Sequence, residues 1–112
     1  MKDVRLVFAD ERVEIAYNKL SEKPEFFKLK KFLDRAIEDI RNNSSCGIGI
    51  KKKLIPREYM EKYDITSLFK YDLPDGWRLF YSLETREIFV LAIILEWMSH
   101  KDYEKKFKYA VR

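Results

Sequence analysis

Apolar residues follow three successive regimes along the chain: alternation, then helical spacing, then alternation again. Val4, Leu6 and Phe8 alternate with Arg5 and Val7, which predicts a short strand. Asp10 is suited to cap a helix, and Glu11 follows in the first turn, where the helix dipole favours negative charge. Val13, Ala16, Tyr17 and Leu20 then recur at helical spacing. Pro24 suits the first position of a second helix. Phe26, Leu29, Leu33, Ile37 and Ile40 carry one apolar stripe from there to about Arg41. Asn42-Asn43-Ser44-Ser45 ends the stripe, and Ser21 to Lys23 joins the two segments into a helical hairpin.

Residues 46–56 form a connector. Within it, Gly47-Ile48-Gly49 is too short for a phosphate loop and lacks the following Lys-Ser/Thr, so a flexible turn is expected. Arg57 to Tyr63 has room for one or two helical turns. Phe69, Tyr71 and Leu73, then Trp77, Leu79, Tyr81 and Leu83, alternate on either side of Pro74-Asp75-Gly76, the pattern of a β-hairpin. Glu84-Thr85-Arg86 is the next tight connection. Ile88 to Leu95 is apolar on both faces, as expected of a central strand covered on both sides. Ser99 or His100 opens a last, Lys-rich segment with Lys101, Lys105, Lys106, Lys108 and Arg112. The expected fold is α+β: a small, mostly antiparallel sheet of about four strands, an N-terminal helical hairpin on one face, and a short C-terminal helix. No linker divides the sequence, so residues 1–112 are expected to form one domain.

Composition narrows the chemistry. One Cys excludes an intrachain disulfide and a multi-cysteine zinc site, and one His excludes a multi-histidine metal centre. No metal-ligand spacing is present, and no metal or cofactor is expected. The longest apolar run is eight residues, too short to span a bilayer, and no signal-peptide pattern opens the chain. A cytoplasmic protein without a membrane partner is expected. The formal net charge is +4, and residues 48–112 carry most of it, with 13 cationic side chains against 10 anionic. Connector, sheet and tail are therefore the places to look for an anionic partner.

The alternation of the hairpin decides which charges meet. If the odd positions from Phe69 to Leu83 face the helices, the even ones are forced to the other face. Lys70, Asp72 and Arg78 then share one surface. Arg and Lys fixed on an open sheet face would make an anion platform, since the guanidinium fork suits phosphate. A cross-strand Asp72–Arg78 salt bridge on a solvated face is the plainer alternative. His100 has the one side chain with an ordinary titration range near neutrality, which makes it a candidate general acid or base, with Glu96 nearby in sequence as a candidate partner. Lys51-Lys52-Lys53 and the Lys-rich tail offer phosphate-backbone contacts, with plain solvation as the alternative. Tyr59, Tyr63, Trp77, Tyr103 and Tyr109 are aromatics of the kind that stack on RNA bases. Parity assigns Trp77 to the core instead.

The stretch Leu68-Phe69-Lys70-Tyr71-Asp72-Leu73-Pro74-Asp75-Gly76-Trp77-Arg78-Leu79-Phe80-Tyr81 resembles the "K-x-x-L … G-[YW]-R-[LI]-x-Y" pattern of the RelE/ParE superfamily of type II toxins. The segment Ile93 to Tyr103 is similar to the family's central strand followed by a His or Arg and then an aromatic. With Leu54 to Tyr59, the chain looks like archaeal RelE-like proteins. The order of elements matches over most of the chain, and the motifs concentrate in residues 54–103. The RelE branch comprises ribosome-dependent mRNA interferases, in which the substrate's own 2′-hydroxyl attacks the adjacent phosphate without a metal.

The resemblance implies that Arg78 binds the scissile phosphate and Lys70 is a basic position on the preceding strand. It implies that His100 is the general acid, or else the base, and that Tyr103 fills the aromatic slot. Asp72 stands where the best-known branch has a second Lys. It could act as a base, or it could neutralise Arg78 and mark a weakened activity. RNA contacts are expected from Lys51, Lys52, Lys53, Lys101, Lys105 and Tyr103, and the implied partners are a cognate antitoxin protein, the ribosome and mRNA. Two other readings share the fold: a ParE-like topoisomerase inhibitor, and a non-catalytic or degenerate member that keeps the antitoxin contact.

Overall fold

The computed structural model describes residues 2–107. Strand β1 (Asp3–Phe8) leads through Asp10 into helix α1 (Glu11–Lys19). The Asp10 side chain accepts the Val13 N–H at 3.0 Å, the cap expected from sequence. Pro24 opens a short 3-10 turn that runs into helix α2 (Phe27–Asn42). Then come β2 (Ile48–Gly49), α3 (Arg57–Tyr63), β3 (Phe69–Asp72), β4 (Arg78–Thr85), β5 (Phe89–Met98) and α4 (His100–Lys106).

The fold is α+β, as expected, with five strands in the order β1-β5-β4-β3-β2. The pairings β2–β3, β3–β4 and β4–β5 are antiparallel, and β1–β5 is parallel. The unexpected fifth strand is the segment anticipated as a flexible turn. Ile48 pairs with Lys70 and Gly49 with Phe69, making a two-residue edge. The buried Tyr81 holds it there: its hydroxyl donates to the Ser44 carbonyl at 2.8 Å and accepts the Gly47 N–H at 3.0 Å. A Cβ on Gly47 would lie 2.8 Å from that hydroxyl and 2.9 Å from the Lys70 carbonyl, so only glycine lets the backbone approach so closely. The connection expected at residues 84–86 falls later, because β4 continues to Thr85 and the Arg86 N–H bonds to the Phe89 carbonyl at 2.9 Å.

Parity sorts the side chains into two cores. Leu73, Leu79, Tyr81, Ala92 and Ile94 are buried against Val13, Leu20, Leu29, Leu33, Ala36 and Ile40 of the helical hairpin, and Trp77 packs at the border of that core. The opposite face is not open. Phe80, Leu95 and Met98 are buried there against Ile55, Tyr59, Ile65, Leu68 and Phe107, so α3 and α4 form a second layer. A bulge in β5 fits both cores to one strand: Phe80 faces Glu96 and Tyr81 faces Ile94, which leaves Leu95 as the extra residue. Tyr59, expected among the base-stacking aromatics, is 1% exposed and belongs to this core.

Two interactions fasten the layers. Tyr71 donates its hydroxyl to the Asp39 carboxylate, tying β3 to α2. Lys106 reaches Glu58 and Glu96, both at 3.0 Å, tying α4 to α3 and β5. Burial alone would lower the Lys106 pKa, but the two carboxylates outweigh it and hold it above the ordinary value.

Phe80 is fully buried and stacks on Phe107 at 4.8 Å and on Tyr103 at 6.1 Å. Phe80→Ala is therefore expected to cost about 3–5 kcal/mol, read as a lower urea midpoint. Burial, then the Asp39 carboxylate, push the Tyr71 pKa from 10.0 up to about 12. The neutral phenol is the form the fold favours. Its stabilisation is complete below pH 10 and is lost as pH rises from 10 to about 12. Alkaline unfolding followed by circular dichroism should be less steep over that window in Tyr71→Phe.

Candidate functional site

The end of the sheet where β3 meets β4, capped by the start of α4, collects the charged side chains singled out in the sequence. Asp72 and Arg78 are directly paired across the strands. Between them the chain turns through Pro74–Gly76, with Asp75 at φ 61° and Gly76 at φ 80°. After β5, Ser99 caps α4 by accepting the Asp102 N–H at 3.3 Å, which sets His100 in the first turn beside Arg78.

Arg78 is the centre of the cluster. Its Nη1 donates to the Gly76 carbonyl, and its Nη2 lies 3.2 Å from His100 Nδ1. Its Nε is 3.3 Å from Asp72 Oδ1, but that approach is too oblique for a hydrogen bond, so the buried Nε–H has no acceptor. Lys70 Nζ lies 3.2 Å from the same Asp72 oxygen. Both cations sit over one aromatic ring: Tyr103, 4.9 Å from the guanidinium carbon and 5.2 Å from the ammonium. Tyr103 in turn stacks on Phe80 and Phe107, so the floor of the cluster is the second core.

This differs from an open anion platform in one respect. Lys70 and Arg78 side chains are only 17% and 16% exposed, because α4 and Tyr103 shelter them, whereas Asp72 is 49% exposed. The cross-strand salt bridge anticipated as the plainer alternative is present, and Asp72 serves both cations.

His100 contacts its surroundings through both ring nitrogens. Nδ1 faces Arg78, and Nε2 lies 3.0 Å from Glu104 Oε1, one helical turn along α4. Glu96, the candidate partner from sequence, is instead joined to Lys106. Beneath that Lys106 ammonium, which lies 5.0 Å from the Tyr59 ring, the buried Tyr59 hydroxyl has no hydrogen bond. Burial and the neighbouring Glu96 charge push its pKa up.

Lys70, Asp72, Arg78, His100 and Tyr103 thus meet. The other expected RNA contacts do not join them. Lys51, Lys52 and Lys53 are exposed and follow β2 past Leu68, towards the end of β3 opposite Asp72. Lys101 and Lys105 are exposed on α4. Tyr109, Lys108 and Arg112 lie outside the described residues.

The sequence reading did not assign Glu104 to the cluster, and it placed Gly76 there only as the turn glycine. Glu104 was legible as the i+4 neighbour of His100 on a helix. Gly76 is needed twice, for its positive φ and because a Cβ there would lie 3.1 Å from His100 Cβ. Among the described residues, no group of three or more His, Cys, Asp or Glu side chains could hold a metal ion. Among them, too, no helix is long and apolar enough to cross a membrane.

No protein-family model, curated protein or solved structure matches the chain.

Gly76→Ala is expected to destabilise the protein by about 1–2 kcal/mol through the left-handed backbone and the crowded His100. Thermal unfolding of the variant measures it.

Proposed function

We propose that this protein is an RNA-cleaving toxin of the RelE type, the catalytic half of a toxin–antitoxin pair, acting on mRNA at the ribosome. The observation that carries the reading is Arg78: a largely buried guanidinium with an unpartnered N–H, sharing the Tyr103 ring with Lys70 and touching His100. Such a cluster suits a phosphodiester. Lys70 and Arg78 supply positive charge for the phosphorane-like transition state, and sheltering from water strengthens that charge. His100 is the proton-transfer residue. The resemblance of Gly76-Trp77-Arg78 and of the strand–His–aromatic segment to the RelE/ParE superfamily supports the same roles. Lys51, Lys52, Lys53, Lys101 and Lys105 are exposed and free to meet ribosomal or messenger RNA backbone. An antitoxin segment laid over the Arg78 end of the sheet would block the substrate.

One observation favours a second reading, a non-catalytic member of the same fold: Asp72 already gives both cations a counter-charge. The two readings part on Asp72→Asn. In an active nuclease the change removes a competitor for phosphate and raises cleavage, while in a degenerate protein it leaves cleavage absent.

The test is cleavage of ribosome-bound mRNA by the purified protein, mapped by primer extension. Arg78→Ala should lower the rate about 10²–10³-fold. Cleavage at the wild-type rate in that variant would remove Arg78 from its role.

A further inference from the structure

We propose that Glu104 is a positioning residue: with Arg78 it holds His100 as the neutral Nε2–H tautomer, so that His100 enters the reaction as proton acceptor. This rests on the RNA-cleavage reading above, but its geometric basis is independent of it.

A guanidinium has five N–H donors and no acceptor. The Arg78 Nη2 contact with His100 Nδ1 at 3.2 Å therefore requires a lone pair on Nδ1. The ring proton of the neutral imidazole must then sit on Nε2. That nitrogen faces Glu104 Oε1 at 3.0 Å, an acceptor. The two contacts come from different elements, β4 and α4, and demand the same tautomer. This is the logic by which the partner of one ring nitrogen sets the chemistry of the other.

The charged groups around the ring agree with that assignment. From β4 comes Arg78, and from β3 Asp72, one contact further out through Arg78, with Lys70 beyond it on the same Asp72 oxygen. From α4 come Glu104 and the Tyr103 ring at 6.5 Å. Arg78 opposes a proton on Nδ1 while it points there, and Glu104 favours one on Nε2. At rest, Nδ1 is occupied by Arg78. A phosphate oxygen seated on the guanidinium draws Nη2 away, and the freed lone pair then faces the substrate.

The step balances without a further reagent. The 2′-O–H bond breaks and its proton goes to Nδ1. The 2′-oxygen forms a bond to phosphorus, the P–O5′ bond breaks, and O5′ takes a proton from water. The imidazolium left behind carries Nε2–H on Glu104 and returns its Nδ1 proton to solvent. The products are a 2′,3′-cyclic phosphate and a 5′-hydroxyl.

The chain has a single histidine, so a long-range ¹H–¹⁵N correlation spectrum of the ¹⁵N-labelled full-length protein reports His100 alone. At alkaline pH, Nδ1 should resonate as an unprotonated nitrogen and Nε2 as a protonated one. In Glu104→Ala the two shifts should move towards each other as the tautomers mix. In Glu104→Gln, whose amide oxygen still accepts Nε2–H, they should stay apart. A merely structural role for Glu104 would not produce that rescue. An Nδ1–H ring in the wild type, or unchanged shifts in Glu104→Ala, overturns the proposal.

The pH profile of cleavage gives the second arm. An acceptor must be neutral, so cleavage should weaken on acidification through ring protonation, and Glu104→Ala should lose less rate than His100→Ala. Loss on alkalinisation instead would make His100 the acid and overturn the proposal. A wild-type protein that cleaves no RNA would overturn the functional reading, while the positioning by Glu104 would stand or fall on the nitrogen shifts.

Discussion

Strand β4 is buried on both faces, and the rest of the structure follows from that constraint. Tyr81 and Leu79 are sealed under the helical hairpin, and Phe80 is sealed under α3 and α4. A strand in that position cannot slip by one residue without exchanging its two cores, because the side-chain period is two. The register of β3 and β5 is fixed with it. Arg78, the first residue of β4, then has one available place: the rim of the second core, where the apolar layer ends and Tyr103 covers it. The site is an edge effect of packing. Its Arg is sheltered because the next residue on the same face, Phe80, is fully buried.

That origin explains the mixture of burial in the cluster. Lys70 and Arg78 reach the rim along β3 and β4 and hold their charged heads over the Tyr103 ring. Asp72, at the end of β3, stays half in water. Glu104 and His100 are also more than half exposed, and a pair in that setting contributes about 0–1 kcal/mol. The electrostatic weight of the site lies with the two cations, which cannot retreat to solvent. The groups around them can.

How much of this was legible depended on whether the signal was periodic. The hairpin β3–β4, the helical pair, the cap at Asp10 and the shared face of Lys70, Asp72 and Arg78 all rest on spacing, which a single sequence displays. The second layer was not legible as a layer. Tyr59 and Phe107 lie on segments too short to show a period, and the apolar character of both faces of β5 announced a cover without naming it. Strand β2 escaped because two residues carry no alternation. Its pairing depends on Tyr81, 34 residues from Gly47. Glu96 and Glu104 are equally close to His100 in sequence, on opposite sides. The backbone separates them: Glu96 lies on β5 and bonds Lys106, while Glu104 is one helical turn on and reaches the ring.

The departure at Asp72 takes on a physical meaning in this setting. Two cations held over one ring and largely removed from water repel each other, and a low-dielectric rim magnifies that repulsion. The fold therefore requires an anion between them when nothing is bound. Asp72 Oδ1 supplies it at 3.2 Å and 3.3 Å. In the proposed RNA cleavage a phosphodiester oxygen would offer the same charge to the same two groups, so side chain and substrate would compete for one position. The competition is not even. Displaced, Asp72 swings into water, where a carboxylate is fully hydrated, so its removal costs little. The phosphate would bring several acceptor oxygens, one of them for the Arg78 Nε–H that Asp72 approaches without bonding. Charge neutralisation by Asp72 is thus compatible with the phosphate capture proposed above, because the resident anion is half exposed and leaves the Arg78 Nε–H unbonded.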